Sequence, residues 1–188
     1  VICLNDSTQL TASGGVSYSW SPSTGLSDTS VSNPMASPGV TTTYTVLVTD
    51  SNGCENTEGV TVTVNPLPVV ITSPDTAICL NDSTQLTASG GVSYSWSPST
   101  GLSDTSVSNP VASPGVTTTY TVLVTDSNGC ENTEGVIVTV NPLPVLTTSP
   151  DTVICLNDST QLTASGGVSY SWSPSTGLSD TSVSNPMA

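Results

Sequence analysis

A repeat of 76 residues constrains this chain more than any other feature of its sequence. Residues 1–76 and 77–152 differ at five positions, and residues 153–188 repeat 1–36 without change. Near-identical copies are expected to adopt the same structure, so the fold of one unit determines the fold of the chain. A unit of this length suits a small autonomous domain that benefits from an added cross-link.

The joints between the units are predicted at two copies of the sequence Asn-Pro-Leu-Pro. These copies cover residues 65–68 and 141–144, and two prolines in four residues form a short, semi-rigid connector. We therefore predict three repeats in an extended array. Repeat 1 covers residues 1–66 and lacks its first strand, repeat 2 covers 67–142 and is complete, and repeat 3 covers 143–188 and lacks its last strands.

The clearest local pattern is a β-hairpin from Thr42 to Val64, which recurs at Thr118–Val140. Tyr120, Val122 and Val124 share one face of its first strand, as expected of a half-buried strand. The Asp-Ser-Asn-Gly sequence between the strands supplies the turn, because Asn-Gly tolerates positive φ.

The rest of repeat 2 also reads as short strands separated by turns. Strands are predicted at 69–71, 76–79 and 84–88, and at 92–96 with Val92, Tyr94 and Trp96 on one face. Residues 102–111 are predicted to be irregular, with one short strand around 105–108. About seven strands with no helical period predict an all-β, Ig-like sandwich, in which Trp96 is buried and Tyr120 forms a tyrosine corner.

The charge of the chain excludes several classes of function. It has no Lys, Arg or His, and its 14 acidic residues give a net charge of -14. Nucleic acid is excluded as a partner because phosphate binding needs cationic side chains. No apolar run is long enough to cross a membrane. No general base stands near any hydroxyl, and Glu55 and Glu58 point to opposite faces of a strand, so we predict that the chain is not an enzyme.

All five cysteines are predicted to form disulfides, namely Cys3, Cys54, Cys79, Cys130 and Cys155. They include no CxxC pair, which argues against zinc, and they indicate an oxidising, extracellular setting. We predict the within-repeat pair Cys79–Cys130. Because this disulfide would close a long loop, it would stabilise the folded repeat by roughly 4 kcal/mol in the chain-entropy model. A bond from Cys3 to Cys130 of the next repeat is the alternative. It stays possible because Cys79 and Cys130 are expected at opposite poles of one repeat, roughly 23 Å apart, which is too far for a disulfide. Reduced, buried thiols are the third alternative.

Two further features suggest ligands but have simpler interpretations. Residues 50–53 resemble the opening of a calcium loop, yet no bidentate Glu follows at the required distance, so we predict a turn and no cofactor. Tyr18 and Trp20 are candidates for a sugar-stacking platform, yet they lie on one face of a strand, so we predict that they pack in the core.

Several motifs of the repeat carry a resemblance to a known family. The sequences CLNDSTQLTASGG, YSWSPSTGLS, TTTYTVLVTDSNGC and VTVNP resemble PKD-like repeats of Bacteroidota surface proteins, and are similar to repeats of gliding-motility adhesins exported by type IX secretion. The resemblance spans every repeat and implies a large extracellular or cell-surface repeat protein. It implies no ligand.

The same resemblance implies O-glycosylation, because Bacteroidota modify Ser or Thr after Asp when a small or apolar residue or Thr follows. The candidate acceptors are Ser7, Thr76, Ser83, Thr152 and Ser159.

Three functions follow from these observations. The first is a structural segment of an extracellular stalk or filament, whose partners are the neighbouring repeats of the same chain. The second is an adhesin whose repeats bind surface glycans or a partner protein. The third is a self-assembling fibre subunit in which other copies of the chain are the partners.

Overall fold

A computed structural model describes residues 1–188, which form strands and turns but no helix. No helix long and apolar enough to cross a membrane is therefore present. The chain divides into two compact units, Val1–Val140 and Asn141–Ala188. The strands are β1 (Ile2–Cys3), β2 (Thr8–Gln9), β3 (Ser17–Ser21), β4 (Met35–Ala36), β5 (Thr42–Thr49), β6 (Glu55–Val62), β7 (Val64–Asn65), β8 (Ile71–Thr72), β9 (Thr76–Cys79), β10 (Thr84–Gln85), β11 (Ala88–Ser89), β12 (Ser93–Ser97), β13 (Val111–Ala112), β14 (Thr118–Thr125), β15 (Glu131–Asn141), β16 (Thr147–Thr148) and β17 (Ala164–Ser165).

The predicted hairpin is confirmed in both of its copies. In repeat 2, β14 and β15 pair antiparallel over eight residue pairs, from Thr118↔Val138 to Thr125↔Glu131. In repeat 1, β5 and β6 pair in the equivalent register. Strand β12 lies on the other side of β14, and β9 lies on the outer edge of β15, so repeat 2 has a four-stranded sheet.

A second layer completes the sandwich in repeat 2. It consists of the short pairs β8–β11 and β10–β13, both antiparallel. Repeat 1 has the same arrangement in its β3–β5–β6 sheet and its β2–β4 pair, and it has no counterpart of β8. The all-β, Ig-like sandwich predicted from the sequence is thus the observed fold.

Each of the first two repeats has its own hydrophobic core. Trp96, Tyr120 and the inward-facing valines of the hairpin are buried in repeat 2, and Trp20 and Tyr44 hold the equivalent places in repeat 1. The tryptophan also donates a hydrogen bond through Nε1, from Trp96 to the Val107 carbonyl at 2.9 Å. The alternation of apolar residues on the hairpin therefore predicted the core correctly.

Two local predictions for repeat 2 are wrong. Val92 does not share the buried face of Trp96, since it is 71% exposed and precedes strand β12. No strand forms around residues 105–108. The Asp104 carboxylate accepts hydrogen bonds from the backbone N–H and the hydroxyl of Ser106. The Thr105 carbonyl accepts a hydrogen bond from the Trp96 backbone N–H. These bonds satisfy polar groups of the segment without pairing it to a neighbouring strand.

The predicted tyrosine corner has a different partner from the usual one. The Tyr120 hydroxyl donates to the Thr100 carbonyl at 2.9 Å, twenty residues upstream rather than a few. Burial raises the pKa of Tyr120, because its phenolate form would lose hydration. The bond ties the hairpin to the turn that follows β12.

The unit Asn141–Ala188 is much less buried than the two sandwiches. Strands β16 and β17 pair over two residue pairs, and Pro186 is its one buried residue. The predicted repeat boundaries at 66/67 and 142/143 stay predictions.

We expect Tyr120→Phe to destabilise the chain by about 1–3 kcal/mol, because the Thr100 carbonyl loses its donor in a partly buried place. Chemical denaturation followed by tryptophan fluorescence measures the loss. Tyr94→Phe is the control, since the Tyr94 hydroxyl bonds the Gly91 carbonyl only three residues away. A smaller loss for Tyr120→Phe than for Tyr94→Phe would contradict the assignment.

Candidate functional site: the inter-repeat disulfide

A disulfide joins Cys3 of repeat 1 to Cys130 of repeat 2, and the two cysteines are 127 positions apart along the chain. Their Cα atoms are 5.5 Å apart, which is an ordinary separation for this bond. Cys130 is fully buried. The first cysteine of one repeat is thus bonded to the second cysteine of the repeat that follows, so the inter-repeat alternative is confirmed.

The within-repeat prediction, Cys79 with Cys130, is wrong because of strand polarity. In repeat 1, Cys3 pairs in register with Asn65, at the far end of the strands that begin just after Cys54. Eleven residues of extended chain separate Cys54 from Asn65, or roughly 35 Å. The two cysteines of one repeat therefore lie at opposite poles, and only the next repeat brings a hairpin turn to the pole where Cys3 lies.

The turn before Cys130 is held by its own aspartate. Asp126 Oδ1 accepts backbone hydrogen bonds from Asn128 at 2.8 Å and from Cys130 at 2.9 Å. The Cys130 bond is the largest cause that lowers the pKa of Asp126, and Asp50 has the same arrangement with Cys54 in repeat 1. The carboxylate that suggested a calcium loop thus forms a side-chain-capped turn and orients the cysteine.

Two hydrogen bonds fix the linker and the segment that follows it on the hairpin of repeat 2, and Leu67 lies near the disulfide. The Asn132 side-chain amide donates to the Pro68 carbonyl at 3.0 Å, and the Ile137 backbone N–H donates to Asp75 Oδ1 at 2.8 Å. Leu67 lies with Cys3 and Gly129 around a depression beside the disulfide. The linker therefore docks on the hairpin of repeat 2 rather than hanging between domains.

The other three cysteines form no disulfide within this chain. Cys54, Cys79 and Cys155 are exposed free thiols. The predicted pairing is thus observed for Cys3 and Cys130, and for the other three cysteines it stays a prediction. Cys54 occupies the place in repeat 1 that Cys130 has in repeat 2, and Cys79 occupies the place in repeat 2 that Cys3 has in repeat 1.

The remaining candidate residues lie apart from the disulfide. Trp20 is buried and Tyr18 is half-buried, as predicted for residues that pack in the core. The Tyr18 hydroxyl donates a hydrogen bond to the Gly15 carbonyl. Glu55 and Glu58 are exposed on β6. Of the predicted glycosylation acceptors, Thr76 is half-buried in β9, and Ser7, Ser83, Thr152 and Ser159 are exposed. Their glycosylation stays a prediction.

Sequence analysis missed the residues that fix the linker. Asp75 precedes the candidate acceptor Thr76, and Asn132 lies in the second strand of the hairpin, and neither position predicts a bond to a distant segment. Gly90 is also part of this contact, since its φ is 114° and an added Cβ would collide with the Val69 carbonyl, so the start of repeat 2 passes directly over it. A Gly-Gly pair in an otherwise β-rich repeat was the available signal.

Comparisons with known proteins bear on the fold alone. No protein family profile and no curated protein sequence matches the chain. Among solved structures, the insect immune protein hemolin is 16% identical over 74% of this chain and 44% of its own, with a TM-score of 0.36. A C-terminal fragment of intimin, solved with the Tir intimin-binding domain, is 16% identical over 76% of this chain and 59% of its own, with a TM-score of 0.40.

A third structure is SGBP-B of the Bacteroides ovatus mixed-linkage glucan utilization locus, solved in complex with a mixed-linkage heptasaccharide. It is 15% identical over 79% of this chain and 43% of its own, with a TM-score of 0.22. The chain thus spans less than two thirds of each of these three proteins, and similarity at this level assigns neither a ligand nor a function.

We expect the native, unreduced chain to show three reactive thiols and the denatured, reduced chain five, since one disulfide joins two of the five cysteines. Cys3→Ser and Cys130→Ser should destabilise the chain equally, by about 5 kcal/mol in the chain-entropy model. Cys79→Ser is the control and should leave the stability unchanged. A large loss of stability in Cys79→Ser, together with no loss in Cys3→Ser, would contradict the observed bond and favour the within-repeat pair.

We expect acid to remove the stability that the Asp126 turn contributes. Backbone bonds hold the pKa of Asp126 low in the folded chain, so the unfolded chain takes up the proton first as pH falls. The contribution is complete above the ordinary Asp pKa of about 3.9 and is lost as pH falls through the lowered folded value.

Thermal denaturation of the chain and of Asp126→Asn between neutral pH and pH ~2 checks this expectation. The difference between their midpoints should narrow only below pH ~4. Asp82→Asn, whose carboxylate forms none of these bonds, is the control. A difference that is independent of pH would contradict the assignment.

Proposed function

We propose that this chain is a structural segment of an extracellular or cell-surface stalk or filament. The observation that carries the proposal is the disulfide between consecutive repeats, Cys3–Cys130. A bond within a repeat stabilises only that repeat, whereas this bond also fixes the joint between two repeats. Such a joint is useful when the repeats together must keep a defined length or bear a load.

The contacts of the linker support the same function. Asn132 and Asp75 dock the end of the linker and the first strands of repeat 2 on the hairpin of repeat 2, so the linker leads directly into fixed structure, and the disulfide crosses to repeat 1. Disulfides persist in oxidising compartments, which supports an extracellular location. The absence of Lys and Arg leaves no trypsin-type cleavage site in an exposed fibre.

We further propose that the segment belongs to a PKD-like surface protein of the Bacteroidota type and is glycosylated. The quoted motifs and the exposed hydroxyls of Ser7, Ser83 and Ser159 support this. Direct binding of polysaccharide has less support, because the aromatic side chains that would stack on a sugar are needed in the cores. Trp20 is buried, and its Nε1 is bonded to the Val31 carbonyl.

Force spectroscopy on single chains held at residues 1 and 188 tests the load-bearing function. With the disulfide intact, the residues between Cys3 and Cys130 cannot extend when the sandwiches unfold. We expect reduction to release roughly 400–450 Å of additional contour length, which is the extended length of a chain whose ends are 127 positions apart.

Cys3→Ser should show the released length without reductant, and Cys79→Ser should behave like the unchanged chain. Equal contour lengths before and after reduction would show that the repeats are not joined in this way and would remove the basis of the proposal. A glycan array probed with the same chain tests the adhesin alternative, and specific binding there would favour that function instead.

A further inference from the structure

The hairpin sheet of repeat 2 has an outer face that is almost free of charge. This outer face consists of the side chains of β12, β14 and β15 that alternate with the buried Trp96, Val122 and Val136 and so point away from the core. Most of them carry a hydroxyl, and one of them is a carboxylate. They are Ser93, Ser95, Ser97, Thr119, Thr121, Leu123, Thr125, Glu131, Thr133, Gly135, Ile137 and Thr139.

Gly135 forms a notch in the middle of the outer face. It lies within β15 and pairs with Thr121, although glycine weakens a strand. An added Cβ would meet no atom closer than the Tyr120 carbonyl at 3.8 Å and Thr119 Cγ2 at 3.9 Å, and the φ of Gly135 is not positive. Neither the backbone nor the packing of the strand therefore requires a glycine. Such a glycine is typical of a surface that another molecule approaches closely.

Ile137 forms a protrusion two residues further along the same strand. Its side chain is 40% exposed. It is also the one difference between the hairpins 42–64 and 118–140, since Thr61 holds this place in repeat 1 and its hydroxyl is hydrogen-bonded to that of Thr43 at 2.8 Å. Thr61 is exposed although the complete hairpin of repeat 2 follows it. The joint between repeats therefore leaves this position open.

A protrusion and a notch on one strand fit a second copy of that strand. When two outer faces meet about a two-fold axis at the level of Val136, the two copies of β15 run antiparallel. Ile137 of each copy then lies over Gly135 of the other. The surrounding Ser and Thr hydroxyls both donate and accept hydrogen bonds, so identical faces can bond to each other. One patch thus supplies both halves of an isologous contact.

The distribution of charge favours the same occupant. The chain has a net charge of -14, and every aspartate lies outside the strands. Two such chains repel each other wherever their carboxylates meet, so they approach most closely over an uncharged face. The nearest carboxylates lie at the rim: Glu131 at the turn end, and Asp75 at the edge of β15, where it accepts the Ile137 N–H. A basic partner would be drawn to the turns instead.

We propose that the outer faces of repeat 2 in two copies of this chain pack against each other, with Ile137 of each copy in the Gly135 notch of the other. The sheets pack in the aligned way, turned by about 30° because each sheet is twisted. Three strands and five residues along each give a footprint of roughly 15 by 17 Å. The contact therefore buries less than the roughly 1,200 Å² of a stable complex and is reversible. It adds a lateral contact to the proposed stalk function.

Sedimentation velocity of the full chain over a dilution series tests this contact. The free thiols are alkylated first, so that no thiol cross-link contributes. A reversible monomer–dimer equilibrium is expected. Ile137→Thr should weaken the dimer roughly tenfold or more, because two isoleucines leave the contact together. Repeat 1 has Thr at the equivalent position, so the hairpin is known to accommodate it. The reverse change, Thr61→Ile, should add a second contact and strengthen the association.

A pair of glycine variants separates the notch from any general effect on the fold. Gly135→Val should abolish the dimer, because its side chain fills the notch. Gly59→Val is the matched control in repeat 1, where an added Cβ would meet the Tyr44 carbonyl at 3.8 Å and Thr43 Cγ2 at 3.9 Å, on the face that lacks the isoleucine. Tryptophan fluorescence checks that both variants are folded. Loss of the dimer in both variants, or in neither, would overturn the proposal.

The salt dependence of the dimer is a further test. Added salt should strengthen the association, because it screens the repulsion between two chains of the same charge. A dimer that salt weakens would depend on ion pairs or bridging ions rather than on this face, which would contradict the proposal.

A monomer at every concentration, or a dimer that Ile137→Thr leaves unchanged, would also overturn the proposal. Binding on a glycan array that Ile137→Thr removes, in a chain that stays monomeric, would assign the outer face to a saccharide instead. The force measurement on single chains is independent of this contact, so the stalk function and the lateral contact can fail separately.

Discussion

The antiparallel hairpin of each repeat is the interaction on which the rest of the structure depends. Its eight residue pairs place Tyr120 and the alternating valines on one face, where they form most of the core of repeat 2. It also gives the repeat two distinct poles, because the turn lies at one end of the ladder and the linker leaves from the other. The position of every cysteine relative to these poles follows from the register.

That polarity explains why the disulfide joins two repeats. Cys130 is oriented by the Asp126 turn at one pole, and the first cysteine of a repeat pairs in register near the other, as Cys3 does with Asn65. A strand that spans a sandwich cannot bring its two ends within bonding distance. The linker instead carries the chain to a second sandwich whose turn lies beside Cys3, so the cross-link is a consequence of strand length and tandem repetition.

The hairpin, the core and the fold class could be predicted because they follow from alternation and turn chemistry within short stretches. Trp96 and Tyr120 are in the core as their spacing indicated. The disulfide could only be narrowed to alternatives, since it depends on how two folded repeats meet. The roles of Asp75 and Asn132 could not be predicted, because their partners, Ile137 and Pro68, lie more than sixty residues away in the sequence.

Comparison of Val60 with Val136 shows that burial is not a property of the local sequence in this chain. The surrounding hairpins are nearly identical, yet Val60 is exposed, whereas Val136 is fully buried on the hairpin where Asp75 accepts the Ile137 N–H. In repeat 2 the segment that follows the linker completes the sandwich, and the disulfide joins the same repeat to repeat 1, so the contacts around the joint determine how the two repeats are held together.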